Sequence, residues 1–144
     1  MSSTMQAEPI KYEGHVDIRF ADLDPYGHVN SKHYVDLVST VRLNFMSQEL
    51  KTPLESMTDK GIGFYLTKLT INYRRPIIGL QKVFVSSYVS EIRDEKVLIV
   101  PFEIKTADGT KLYSDGVLEF SVVDLKTNRM TILPTWVAKL LFAM

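Results

Sequence analysis

No cysteine occurs in this 144-residue chain. Its absence removes disulfides, zinc–thiolate centres and cysteine nucleophiles, and it fits a reducing compartment. An excess of charge is also missing. Seventeen basic residues balance seventeen acidic ones, so neither nucleic acid nor a charged membrane surface is an expected partner. No apolar run is long enough to span a bilayer, and Met1 to Ile10 lack the basic start and apolar run of a signal peptide. The expectation is a cytoplasmic protein. No repeat, low-complexity segment or linker divides the chain, and its length suits one domain with a core of its own. Residues 1–11 read as a flexible tail and 12–144 as that single domain.

The chemistry-bearing residues are concentrated in one stretch, Asp22-Leu-Asp-Pro-Tyr-Gly-His-Val-Asn-Ser-Lys-His-Tyr34. It follows a short alternating segment, His15 to Ala21, that reads as a strand with Val16, Ile18 and Phe20 on one face. Asp24-Pro-Tyr-Gly27 has the residues a β-turn asks for: Asp first, Pro fixing φ second, Gly last. Asn30 and Ser31 are good N-cap residues for the helix that follows. Residues 31–48 contain neither Pro nor Gly, and Tyr34, Leu37, Val38, Val41, Phe45 and Met46 recur at helical spacing. A carboxylate therefore stands just before the positive, N–H-rich end of the one long helix.

Downstream, Thr52-Pro-Leu-Glu55 is a capping-box string with Pro at the first helical position, predicting a short helix to about Lys60 that Gly61 and Gly63 end. The period then becomes two. Four strand-like runs follow at 64–75, 82–92, 97–105 and 111–123, with a hairpin at Asp108-Gly109 and a bulge or unpaired position expected at Pro101. A last helix is expected over 134–142. Such a chain reads as α+β, with one helix on a five-stranded antiparallel sheet. Tyr65, Leu69, Ile71 and Tyr73 fall on one face of their strand and Phe64 and Leu66 on the other. Apolar residues on both faces point to self-association.

The turn from Asp24 to Asn30, with Tyr34 and Arg42 on the helix, resembles the hotdog-fold acyl-CoA thioesterases. The closest groups are the 4-hydroxybenzoyl-CoA thioesterase type and its acyl-carrier-protein relatives. Their string runs Asp-x-x-Gly-(His)-Val-Asn-Asn-x-x-Tyr, then a Glu and an Arg further along the helix. The resemblance implies a long helix wrapped by a sheet of order 1-3-4-5-2. It also implies homodimers or homotetramers with active sites at the interface, and no metal or organic cofactor beyond the coenzyme A of the substrate. It gives Asp24 the role of catalytic carboxylate and the backbone N–H of Ser31 that of thioester-oxygen donor, with His28 as a helper. The chain departs from the pattern in three places. Ser31 replaces the second Asn, Ser39 replaces the helical Glu, and Tyr26 stands where plant acyl-carrier-protein enzymes carry an Asn. The other thioesterase branch places its carboxylate within the helix, where only Asp36 or Glu49 is available.

Thioester hydrolysis needs an activated water or attacking carboxylate, and donors where the carbonyl oxygen gains charge. Asp24 serves as general base or as nucleophile through a mixed anhydride; the residues alone leave both open. Helix N–H groups supply preorganised donors. Tyr26 and Asn30 are further candidates to touch substrate, Asn30 also reading as a helix cap. Lys68, Arg74 and Arg75 are candidates for the phosphates of coenzyme A or a carrier-protein arm. Asp22 reads as a solvated strand-end charge, and Tyr34 and Arg42 as core and helix-anchoring residues. His15 and His33 receive no role, and the spacing of His28 and His33 is poor for a metal pair. The alternative function is a non-catalytic hotdog module that binds acyl thioesters as a sensor or assembly subunit.

Overall fold

The structure is a computed structural model, and it describes residues 8–143. Most of the expected tail, residues 1–7, lies outside the described residues. Glu8–Pro9 (β1) pairs with Phe142–Ala143 (β9), and the Ile10 N–H donates to the Leu141 carbonyl at 2.8 Å, so 8–10 run along the chain's other end.

β2 spans Tyr12–Asp17, starting earlier and ending earlier than the alternation predicts. Its continuation is lost because Phe20–Asp22 form a single 3-10 turn, in which the Asp22 carboxylate accepts the Arg19 N–H at 2.8 Å. This local side-chain bond competes with strand pairing. Phe20, expected inward, is 83% exposed, while Ile18 is buried.

The long helix forms as read. A 3-10 turn, Ser31–His33, leads into α1, Tyr34–Gln48, and Asn30 caps it by accepting the Lys32 N–H. Tyr34, Leu37, Val38, Val41 and Met46 are its buried residues. α2, Leu54–Asp59, starts later than the capping box predicts: the Thr52 hydroxyl donates to the Leu50 carbonyl, leaving Pro53 as N-cap. Gly61, at φ +82°, ends it as expected. α3 spans Thr135–Leu141.

The remaining strands are β3 (Ile62–Tyr73), β4 (Lys82–Ser87), β5 (Glu91–Arg93), β6 (Val97–Thr106), β7 (Leu112–Asp124) and β8 (Arg129–Met130). The main sheet runs β2-β4-β6-β7-β3, antiparallel throughout; counting only its five long strands, this is 1-3-4-5-2. It curls around α1, whose buried face meets Val83, Val85, Val100, Leu118 and Val122 in one core. Each such side chain contributes about 1.5–3 kcal/mol of burial. This is the hotdog arrangement.

Two irregularities matter. The run 82–92 breaks into β4 and β5 opposite Pro101: the Tyr88 N–H reaches the Pro101 carbonyl, and the missing proline N–H lies on that same side. The pairing is thus interrupted there, as expected, and its register shifts by one residue, from Ser87 opposite Phe102 to Glu91 opposite Ile99. The unforeseen irregularity is a bulge at Thr67, where the β3–β7 register shifts between Leu66 and Lys68. It exchanges the faces of β3. Phe64, Leu66, Leu69, Ile71 and Tyr73 all pair on the side of the core residues Leu118 and Val122, and the opposite side carries Lys68, Thr70, Asn72 and Arg74, with Tyr65, expected beside Leu69, its one large apolar residue. β3 therefore has one apolar face, not two. Among the described residues no helix is long and apolar enough to cross a membrane.

Candidate active site

The connection from β2 to α1 is shaped by its own carboxylates. Asp24-Pro-Tyr-Gly27 forms the expected turn, the Gly27 N–H reaching the Asp24 carbonyl at 3.0 Å with Gly27 at φ +79°. The Asp24 N–H returns to the His28 carbonyl at 2.7 Å. Asp24 Oδ1 then accepts two backbone N–H groups, from Tyr26 at 2.8 Å and His28 at 3.1 Å. Oδ2 has no partner among the described residues, so one oxygen builds the turn and the other is unengaged.

Asp22 behaves quite differently from the solvated charge expected. It is fully buried. Its carboxylate accepts the Arg19 backbone N–H, the Arg19 guanidinium at 2.8 Å and His33 Nδ1 at 3.0 Å. These bonds, the Arg19 guanidinium foremost, hold the carboxyl well below the usual carboxylate range despite the opposing effect of burial. The Asp22 carbonyl also accepts the Asn30 N–H at 2.8 Å. Asp22 and His33 thus clamp the two ends of the connection, a role the reading of the sequence denied to both. On the other side the connection is pinned to residues 76–79: Val29 N–H to the Ile77 carbonyl and Gly79 N–H to the Gly27 carbonyl.

These bonds leave a groove of about 370 Å³ lined by Asp24, His28, Asn30, Ser31, Arg74 and Arg75, with Tyr34, Tyr73, Val29 and Pro76 completing it. The structure therefore gathers six of the eight candidate residues. The Ser31 N–H has no acceptor among the described residues and opens the 18-residue helical stretch, where partial positive charge accumulates. Tyr73, from the end of β3, donates its hydroxyl to the Ser31 carbonyl at 3.0 Å and meets Tyr34 edge-on at 4.9 Å. Burial first, then the phenols of Tyr73 and Tyr113 and the charge of Asp24, raise the Tyr34 hydroxyl above its ordinary range. The two tyrosines form the aromatic side of the groove. The sequence offered no sign of Tyr73 beyond its place before Arg74-Arg75-Pro76.

Two candidates fall outside. Tyr26 stands at the turn's tip, 83% exposed and away from the groove. Lys68 lies six residues along β3 from Arg74, roughly 20 Å at strand spacing, and pairs with Glu119 at 3.9 Å. Arg74 is paired with Asp115 at 3.2 Å, whereas Arg75 has no ion-pair partner among the described residues. Asn30 spends its side-chain oxygen on the cap. No three His, Asp or Glu side chains converge as a metal site among the described residues.

Residues 18–141 match the family model described as the thioesterase-like superfamily. The chain belongs to that superfamily. The chain is similar to the long-chain acyl-CoA thioesterase FadM of Escherichia coli (strain K12), 25% identical over 114 residues, which are 79% of this chain and 84% of FadM. Two solved structures share the fold. The DHNA-CoA thioesterase of Staphylococcus aureus aligns with a TM-score of 0.78 at 22% identity, over 90% of this chain and 85% of that one. The protein SAV2348 of the same species, solved in complex with CoA, aligns at 0.77 with 16% identity, over 92% and 82%. The match to the superfamily begins at Ile18 and so includes the whole groove-forming connection.

Proposed function

We propose that this thioesterase-like protein hydrolyses the thioester bond of an acyl-CoA, or of an acyl group on a carrier-protein arm, to free acid and thiol. The observation that carries the reading is the groove itself, where a carboxylate with one unengaged oxygen and the open N-terminus of the central helix line the same space. In this reading the carbonyl oxygen sits at the Ser31 N–H. Asp24 Oδ2 activates water or attacks the carbonyl carbon, and the thiolate departs without needing a strong acid. One such backbone donor is commonly worth roughly 3–4 kcal/mol in the transition state. His28 supports the carboxylate side through its N–H and lines the groove beside it. Arg75, and Arg74 where it can leave Asp115, supply cations for the phosphates of coenzyme A. FadM and the DHNA-CoA enzyme are named for acyl-CoA hydrolysis, which supports the substrate class.

Self-association belongs to the same proposal. Leu66, Leu69 and Tyr73 lie on the inner face of edge strand β3 and are 42–51% exposed, because α1 packs over β2 and β4 instead. An exposed twelve-residue edge strand with an uncovered apolar face invites a second copy. Since Tyr73 also lines the groove, that copy would meet the site.

The test is steady-state hydrolysis over acyl-CoAs of graded length and aryl-CoAs, with Asp24→Ala alongside. Turnover that disappears in the variant supports the reading. Because Asp24 Oδ1 is already occupied by its own turn, a binding-only module is the second reading. Ligand-induced stabilisation across the panel, with hydrolysis absent or indifferent to Asp24, would select it.

A further inference from the structure

A second cavity, of about 160 Å³, lies under α2 and α3 at the far half of α1, and no residue lines both it and the groove. Its walls include Met46, Met57, Leu98, Phe120 and Leu141, and among them sits the guanidinium of Arg42. That guanidinium lies 4.7 Å from the centre of the Tyr12 ring and 6.0 Å from that of Phe120. Among the described residues its one hydrogen bond goes to Ser87 Oγ at 2.8 Å, and no ion pair compensates it. A guanidinium has five N–H donors in a planar fork suited to a carboxylate. On the helix, the positions that could place an acid beside it are Val38, Ser39, Phe45 and Met46, and none is acidic. Around it stand Tyr12, Ser87 and Phe120, none of them acidic. Tyr12 spends its hydroxyl on the Leu140 carbonyl. Arg42 is partly buried, and burial brings it down to about 10. A charge withdrawn from water without a partner is costly.

We propose that this cavity is a binding site for a carboxylate on a short apolar chain, its carboxylate paired with Arg42 and its chain lying between Tyr12, Met46, Met57 and Phe120. The complementarity is one of charge and size. The walls are mostly apolar, with Ser39 beside one under-used cation, and an apolar cavity of about 150 Å³ accommodates a benzene-sized group. The carboxylate has two possible sources: a free acid, or the far end of an ω-carboxylated acyl thioester. The proposal does not depend on the thioesterase reading.

The experiment measures calorimetric affinity and thermal shift for hexanoate and its uncharged counterpart hexanol on the full chain. The same measurements are made on Arg42→Met, Arg42→Lys and Asp24→Asn. Wild type should bind hexanoate roughly ten- to a hundredfold more tightly than hexanol, the range expected for a charge-assisted contact. Arg42→Met should lose that preference, Arg42→Lys should keep part of it, and Asp24→Asn should keep all of it. If Arg42→Met fails to fold, hexanoate against hexanol on wild type and Arg42→Lys decides the matter. Dodecanedioyl-CoA against lauroyl-CoA separates the sources. An Arg42-dependent preference confined to the diacid thioester supports the site with substrate as its ligand. Equal binding of hexanoate and hexanol without such a thioester preference, or a preference surviving in Arg42→Met, overturns the proposal.

Discussion

Replacing Asp22 tests the physical basis of the groove without touching its lining. The side chain is 1% exposed, while its partners Arg19 and His33 are 67% and 21% exposed. The exposed guanidinium makes the ionic part modest; the larger loss is in the bonds that Asp22→Ala deletes. The Arg19 N–H and His33 Nδ1 lose their acceptor, and the connection loses its clamp. The cost should be about 2–4 kcal/mol, a drop of roughly 6–15 °C in Tm for a chain of this size. Asp22→Asn, which keeps shape but not charge, should fall between. The pH dependence has a definite sign. The folded carboxyl is held below its unfolded value, so its contribution is fully present above about pH 5 and fades as pH falls below about 4. Thermal melts from pH 7 to pH 3 should show a gap between wild type and Asp22→Asn that is constant down to about pH 5 and narrows toward pH 3. Because the Asp22 backbone carbonyl also holds the Asn30 N–H, hydrolysis should decline with stability. A variant as stable as wild type at pH 7, or a gap that persists undiminished at pH 3, would refute the reasoning.

Three further outcomes follow from the structure. Ser31→Pro removes the proposed donor while placing Pro at the first helical position, after an Asn30 already extended at φ −60° and ψ 133°. Proline is tolerated there, so melting should change little while kcat falls about 10²–10³-fold; unchanged kcat would remove Ser31 from the mechanism. Gly116→Ala would bring a Cβ to 2.1 Å from the Thr70 carbonyl and 2.8 Å from the Phe102 ring. That should cost more than about 3 kcal/mol by forcing β3 and β7 apart, read as a lowered denaturation midpoint. Leu69→Glu places a charge on the uncovered face of β3, so sedimentation should shift toward monomer and activity should fall with it; an unchanged mass in an active wild-type oligomer would locate the interface elsewhere.

The fold was legible because its signals are local and agree with one another. The unbroken helical pattern over 31–48, the switch to period two after Gly61, and Asp108-Gly109 each specify one element. The resemblance ordered the strands. What stayed hidden depended on contacts between distant or irregular positions. Alternation cannot show that Thr67 is an extra residue, so β3 seemed apolar on both faces and its argument for self-association rested on the wrong geometry. Nor does spacing reveal that Arg19 and His33 converge on Asp22, turning an apparent surface charge into the most deeply buried polar group of the connection. The capping box at Thr52 failed because its hydroxyl found the Leu50 carbonyl first. At the site, Asp24, His28, Asn30 and Ser31 were legible as one turn and cap, whereas Tyr73 arrives from β3 and required the register of the sheet.

The central claim is that Asp24 carries chemistry as well as its turn. Asp24→Asn separates the two, because the amide oxygen can still accept the Tyr26 and His28 N–H groups. The deciding measurement is kcat/KM of Asp24→Asn against wild type on the best acyl-CoA of the panel, with both melts recorded. The account predicts melting within a few degrees of wild type and a loss of about 10²–10⁴-fold in kcat/KM. Undiminished hydrolysis by a folded Asp24→Asn protein would contradict it.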